Sequence, residues 1–190
     1  MEVTDVLAWL NPWFDKLIEE KAYLSDLDQK IGDGDHGNNM ARGAVATKEA
    51  LETKAPTDVP ALFMTVAQTL MSKIGGASGP LYGSAFLAMS GAAKKTDDLS
   101  EIFAAGLDKI QQRGKADLGE KTMVDVWHPA IEALKTDSLT QETLDQARET
   151  TTGLKATKGR ASYYGDRSIG EPDPGAESSI YLFEALLATL

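Results

Sequence analysis

Cysteine is absent from the 190 residues, so neither a disulfide nor a thiolate-bound metal can form. That absence fits a reducing cytosol. Histidine is scarce, with His36 and His128 the 2 in the chain, and no serine–histidine–acid set for nucleophilic catalysis stands out. Basic residues are in the minority: 19 Lys and Arg against 29 Asp and Glu leave a net charge of −10. A nucleic-acid-binding protein usually has the opposite balance. Long apolar runs are missing too. The longest, around Ser84 to Met89, fall far short of a membrane span. The acidic opening Met1-Glu-Val-Thr-Asp has no basic start of a signal peptide. These absences predict a cytoplasmic protein with no membrane and no nucleic-acid partner.

Alternating apolar–polar strands are also lacking, and the apolar spacing is helical almost throughout. Val3, Val6, Leu7, Leu10, Phe14, Leu17 and Ile18 predict a first helix, which Pro12 either kinks or restarts with Asn11 as cap. Asn38 to Leu51 is a second. A third opens at Thr57 with Pro60 in its first turn and stops at Gly75-Gly76; a fourth runs from Ser78 to Met89. A fifth spans Leu99 to Ile110, with Gly114 just past its end, and a sixth spans Met123 to Leu134. Ser138 and Gln141 resemble a capping box opening a seventh, and Ile180 to Leu190 forms the last. The expectation is an all-α domain of roughly eight helices spanning residues 1–190. Thr150-Thr151-Thr152 reads as a helix end, and Trp9, Trp13 and Trp127 as core or interface. His128 reads as packing or surface.

Irregular stretches remain at Asp26 to Asn39, Gly75 to Pro80 and Lys155 to Ala176, with a smaller break at Gly114 to Glu120. Long breaks in a compact domain are usually functional. In an up-and-down arrangement alternate loops share one end, and the parity of the first three allows them to meet. The first holds Asp28, Asp33 and Asp35 with Gly32, Gly34 and Gly37. Carboxylates this close repel unless a cation joins them, and Mg²⁺ suits oxygen ligands shared with nucleotide phosphates. Gly32-x-Gly34-x-x-Gly37 spells a dinucleotide fingerprint, but no strand precedes it. An EF-hand begun at Asp33 has Ala44 where a glutamate is required. A solvated turn is the plain alternative. There is no Walker A motif, since Gly114-Lys115 is followed by Ala116.

Gly75-Gly-Ala-Ser-Gly-Pro80 lies between two helices, where backbone N–H groups at a helix start attract anions; an ordinary pair of caps fits equally well. The late break carries Lys155, Lys158, Arg160 and Arg167, a composition suited to a lid over phosphate or to a basic surface loop.

Taken in order, Leu27-Asp28 with Ile31 to Met40, Gly75 to Pro80, Arg113-Gly-Lys115 with Lys121-Thr-Met123, and Gly159 to Tyr163 with Arg167 to Gly170 and Asp173 to Ala176 resemble the DhaL family. These are the nucleotide-binding subunits of bacterial dihydroxyacetone kinase. The resemblance implies an eight-helix antiparallel up-and-down barrel with nucleotide at one rim. It implies two Mg²⁺ ions on Asp28, Asp33 and Asp35. It places His36, Gly37, Asn38 and Asn39 against the phosphates of ADP or ATP, with Ala77 and Ser78 opposite. Gly114, Met123, Arg160 and the turn Asp173-Pro174-Gly175 match the remaining nucleotide contacts. It further implies a phosphotransferase subunit whose bound ADP is phosphorylated by a phosphohistidine on DhaM and passes the phosphoryl group to dihydroxyacetone on DhaK. A homodimer is compatible with the family pattern. Two other readings stay open at this level: the nucleotide domain of an ATP-dependent dihydroxyacetone-type kinase, and a nucleotide-sensing module without turnover.

Overall fold

The computed structural model describes residues 1–190. It contains nine α-helices, one 3₁₀ segment and no strand. The helices are α1 (Val3–Glu19), α2 (Lys21–Ile31), α3 (His36–Lys54), α4 (Val59–Lys73), α5 (Ser78–Ala92), α6 (Leu99–Gly114), α7 (Val124–Leu134), α8 (Gln141–Gly153) and α9 (Pro174–Leu187); the 3₁₀ segment is Arg160–Ser168. No helix is long and apolar enough to cross a membrane.

From α3 to α9 each helix packs on the next, and α9 packs on α1, which packs on α3. The ring therefore closes. Both α1 and α2 touch α3 and α9, so together they make one stave bent at Glu20 (φ −89°, ψ 13°). Nine helices thus make eight staves, the expected antiparallel barrel. Rings fill its interior: Trp9 and Trp13 of α1, Phe63, Phe86, Phe103, Trp127 and Phe183 are all buried. Neighbouring centroids lie 5.2 Å apart for Phe103–Phe183 and 5.8 Å for Trp13–Phe86. All three tryptophans belong to this core, whereas His128 is exposed.

Several helix ends differ from those expected. α1 runs unbroken through Pro12, and Asn11 caps nothing. An internal proline costs about 3 kcal/mol, and burial of Trp9, Leu10, Trp13 and Phe14 around it offsets that cost. Residues 21–31, expected in part as loop, are helical, so Asp28 stands on the last turn of α2. α3 begins at His36, which shortens the carboxylate turn to Gly32–Asp35. Asp58, not Thr57, caps α4 by accepting from the Ala61 N–H at 2.7 Å. Gly114 ends α6 from inside, and Lys115 takes the left-handed turn after it (φ 50°). Thr140 caps α8 in place of Ser138, whose hydroxyl donates to the Ala133 carbonyl. The Thr150–Thr152 run lies in the last turns of α8, as expected.

Candidate functional site

Chain parity places the site. The staves alternate in direction, so α2, α4, α6 and α8 end at one rim, and α3, α5, α7 and α9 begin there. Residues from all four connections line one cavity of about 310 Å³. Asp35–His36, Ala77–Ser78, Met123–Val124 and Asp173–Pro174 are its contributions from the four helix starts. Each helix N-terminus carries roughly half a positive charge, so four on one cavity favour an anion. Neither α3, α5 nor α7 has its first turn capped by its N-cap side chain; on α9 the Asp173 carboxylate accepts from the Ala176 N–H at 2.8 Å.

One part of the wall is acidic, formed by Asp28, Asp33 and Asp35; another is apolar, formed by Leu81, Ile110, Ala116, Met123 and Val124. The three aspartates share the cavity but do not converge as a ligand trio. No three acidic or imidazole side chains stand at metal-holding spacing. Two local bonds account for this. An Asp28 carboxylate oxygen accepts from the His36 backbone N–H at 3.0 Å, and Asp33 is ion-paired with Arg160. The chain itself thus supplies a cation to the acidic wall, a direct sign that this wall suits positive charge. Short carboxylates on a turn with Gly34 at φ 79° retain the freedom to regroup around a hard cation.

His36 is 8% exposed and bonded on both ring nitrogens, Nδ1 to Ser78 Oγ at 3.1 Å and Nε2 to Ser178 Oγ at 3.0 Å. Burial pushes its pKa down to about 4, so the ring is neutral at pH 7. The chain of bonds continues inward. Tyr82 bonds to Ser178 at 2.9 Å and to Ser179 at 2.8 Å, and Trp127 Nε1 donates to Ser179 at 3.0 Å. A polar seam therefore joins the rim to the aromatic core through α3, α5, α7 and α9.

Thirteen of the fifteen residues singled out from sequence line this cavity: Asp28, Asp33, Asp35, His36, Asn39, Ala77, Ser78, Gly114, Met123, Arg160, Asp173, Pro174 and Gly175. Gly37 and Asn38 do not. Gly37 faces α2, where an added Cβ would collide with the Lys21 carbonyl and lie 2.7 Å from the Ser25 hydroxyl, and Asn38 is exposed. Of the late basic residues, Lys158 and Arg160 line the cavity. Lys155 pairs with Asp166 at 2.8 Å, and Arg167 lies over the Tyr164 ring at 5.3 Å. The expected lid is a 3₁₀ segment kinked at Gly165, and Tyr164 ties it to the acidic turn by donating to the Gly32 carbonyl at 3.0 Å.

Sequence reasoning gave no role to Lys121 or Arg42. Lys121 is 1% exposed, borders the cavity, and donates to the Thr151 and Thr152 carbonyls at 2.9 and 2.8 Å. Arg42 donates to the Lys73 carbonyl at 2.8 Å and to Asn39 at 2.7 Å. Each cation thus occupies the C-terminal end of a helix, α8 or α4, that reaches the same rim. The only sequence sign of the first was the Lys121-Thr-Met123 wording.

A family model described as the DAK2 domain matches residues 30–188, beginning just after Asp28. The PTS-dependent dihydroxyacetone kinase ADP-binding subunit DhaL of Lactococcus lactis is 56% identical over 187 residues, covering 98% of this chain and 97% of that one. The corresponding PEP-dependent subunit of Escherichia coli is 38% identical over 199 residues, covering 96% and 95%. The crystal structure of the dihydroxyacetone kinase from C. freundii in complex with AMP-PNP and Mg²⁺ superposes with a TM-score of 0.80 at 25% identity; it covers all of this chain, which spans 35% of that longer one. With a domain model over most of its length and DhaL relatives matched almost end to end, the chain belongs to the DAK2 domain family.

Proposed function

We propose that this chain is the nucleotide-carrying subunit of a phosphoenolpyruvate-dependent dihydroxyacetone phosphotransferase, active only with partner subunits in the cytoplasm. In this reading ADP occupies the rim cavity together with two Mg²⁺ ions. The nucleotide accepts a phosphoryl group from a phosphohistidine on a DhaM partner and yields it to dihydroxyacetone held by a DhaK partner.

The observation that carries the reading is the meeting of four helix starts, three aspartates and an apolar wall in one cavity. The apolar wall of Leu81, Ile110, Ala116, Met123 and Val124 suits a purine ring. The starts of α3 and α5, with the Ser78 hydroxyl, suit phosphate oxygens. Asp28, Asp33 and Asp35 suit Mg²⁺, which when bound neutralises phosphate charge in phosphoryl transfer. Arg160, released from Asp33, faces the same anions. His36 acts one layer back by holding Ser78. The relatives matched nearly end to end are ADP-binding subunits, and the C. freundii complex holds a nucleotide analogue with Mg²⁺.

Purified protein is expected to carry ADP and to support transfer from phosphoenolpyruvate when both partners are added. Asp33→Asn and Asp35→Asn are each expected to lower that transfer by about a hundredfold or more, the scale of losing one charge-stabilising group at a reacting phosphate. Both should also weaken Mg-dependent ADP retention. Wild-type transfer rates in either variant would overturn the assignment.

A further inference from the structure

The connection from Lys115 to Met123 forms part of the cavity wall through Ala116, Lys121, Thr122 and Met123, yet it is irregular and bends three times into the left-handed region, at Lys115, Gly119 and Lys121. Its own backbone bonds are few. Three charged side chains hold it instead. Asp125, 7% exposed in the first turn of α7, accepts from the Gly119 N–H at 2.5 Å and the Thr122 N–H at 2.8 Å. Glu120 accepts from the Asp117 N–H at 2.7 Å and from the Thr157 hydroxyl at 3.2 Å, and pairs with Lys158 at 3.7 Å. Lys121 reaches away from its own loop to the end of α8, a helix that does not line the cavity.

Lys121 is the informative member. At φ 61° its backbone would be more comfortable as glycine. Two charge-assisted bonds from the side chain offset that cost. The same Thr152 carbonyl also accepts from the Gly170 N–H at 2.9 Å, so the end of α8 anchors two segments beside the cavity at once. Lys158, Gly159 and Arg160, stitched to Glu120 through Thr157 and Lys158, continue the wall.

We infer that this buttress sets how long the nucleotide stays bound: Lys121 and Glu120 are positioning residues that keep the wall around the purine from opening. The inference rests on the nucleotide-carrying reading above. It adds the wall as a second determinant of nucleotide retention, beside the aspartates, which act through Mg²⁺.

The test uses the full chain loaded with Mg²⁺ and ADP bearing a methylanthraniloyl fluorophore, chased with excess ADP. Lys121→Met keeps the stem length and removes the charge; Glu120→Ala cuts the partly exposed strap and leaves the core intact. The dissociation rate is expected to rise about tenfold or more in Lys121→Met and about threefold in Glu120→Ala, since loosened contacts act chiefly on dissociation. With nucleotide saturating for each variant, the Mg²⁺ concentration for half-maximal binding should stay within about twofold of wild type in both. A lysine with a merely structural role would lower the unfolding midpoint and leave the dissociation rate alone, and that result overturns the inference. Should Lys121→Met fail to fold, an unchanged rate in Glu120→Ala overturns it equally. A wild-type protein with no affinity for ADP removes the parent reading and this one together; tight wild-type binding with unchanged variant rates removes this one alone.

Discussion

His36 shows how one side chain can serve the rim without titrating near neutrality. Its ring is buried between two serines, and its native pKa of about 4 lies below the ordinary 6.5. An unfolded chain therefore takes up a proton that the native state refuses. The sign follows: the stability contributed by the neutral ring is complete above pH 6.5 and is lost as pH falls toward about 4. Asp173 works in the opposite sense. Desolvation beside the cavity raises its pKa above the usual carboxylate value, so it favours the fold in acid and costs stability as pH rises through that raised value. In His36→Asn the first contribution is gone. The destabilisation caused by that substitution, read as a shift in urea midpoint, should be largest above pH 6.5 and shrink on acidification. A penalty independent of pH would show that the imidazole does not sit neutral in the native state.

At the scale of the element, the approach of α3 to α2 is the tightest constraint near the acidic turn. Gly37 presses on the α2 backbone, with the Ser25 N–H and hydroxyl both 2.7 Å from where a Cβ would lie. Gly37→Ala is expected to cost about 1–3 kcal/mol, the usual penalty for overpacking, measurable as a lower unfolding midpoint. Because α2 carries Asp28, Mg-dependent ADP binding should weaken with it, and unchanged binding would show that the turn is not built on this contact. The helix itself was poorly legible in the sequence. α2 buries only Leu24, Leu27 and Ile31 among charged neighbours, and its Asp-rich end reads as a turn. Pro12 misled in the other direction: proline suggests a break, but the burial on either side of it belongs to tertiary structure. Strongly periodic helices such as α4 and α6 were readable to within about two residues at their starts, because their apolar faces are continuous, although the caps were misplaced.

For the whole molecule, the acidic turn was the most legible part of the candidate site. Aspartates and glycines at unusual density mark the acidic turn directly. The apolar wall left no mark, because Leu81, Ile110 and Val124 have the same spacing as core residues until the barrel aims them at the cavity. Arg42 left no mark, and Lys121 none beyond the family wording, for a related reason: each neutralises the end of a helix far away in the chain, and periodicity carries no information about such pairs. The closed ring itself came from family resemblance, since helix count alone does not decide between a bundle and a barrel.

Because successive helices from α3 to α9 are also neighbours in space, nearly all of the wall can assemble from contacts that are short in sequence. The seam between α9 and α1 is the exception, joining the ends of the path with the largest loop-closure cost. Pulsed hydrogen exchange during refolding should find amides of α4, α5 and α6 protected before those of α1 and α9. The cavity at the rim draws on α9, so nucleotide-binding competence should emerge only with that last protection, making ligand capture a reporter of completed assembly.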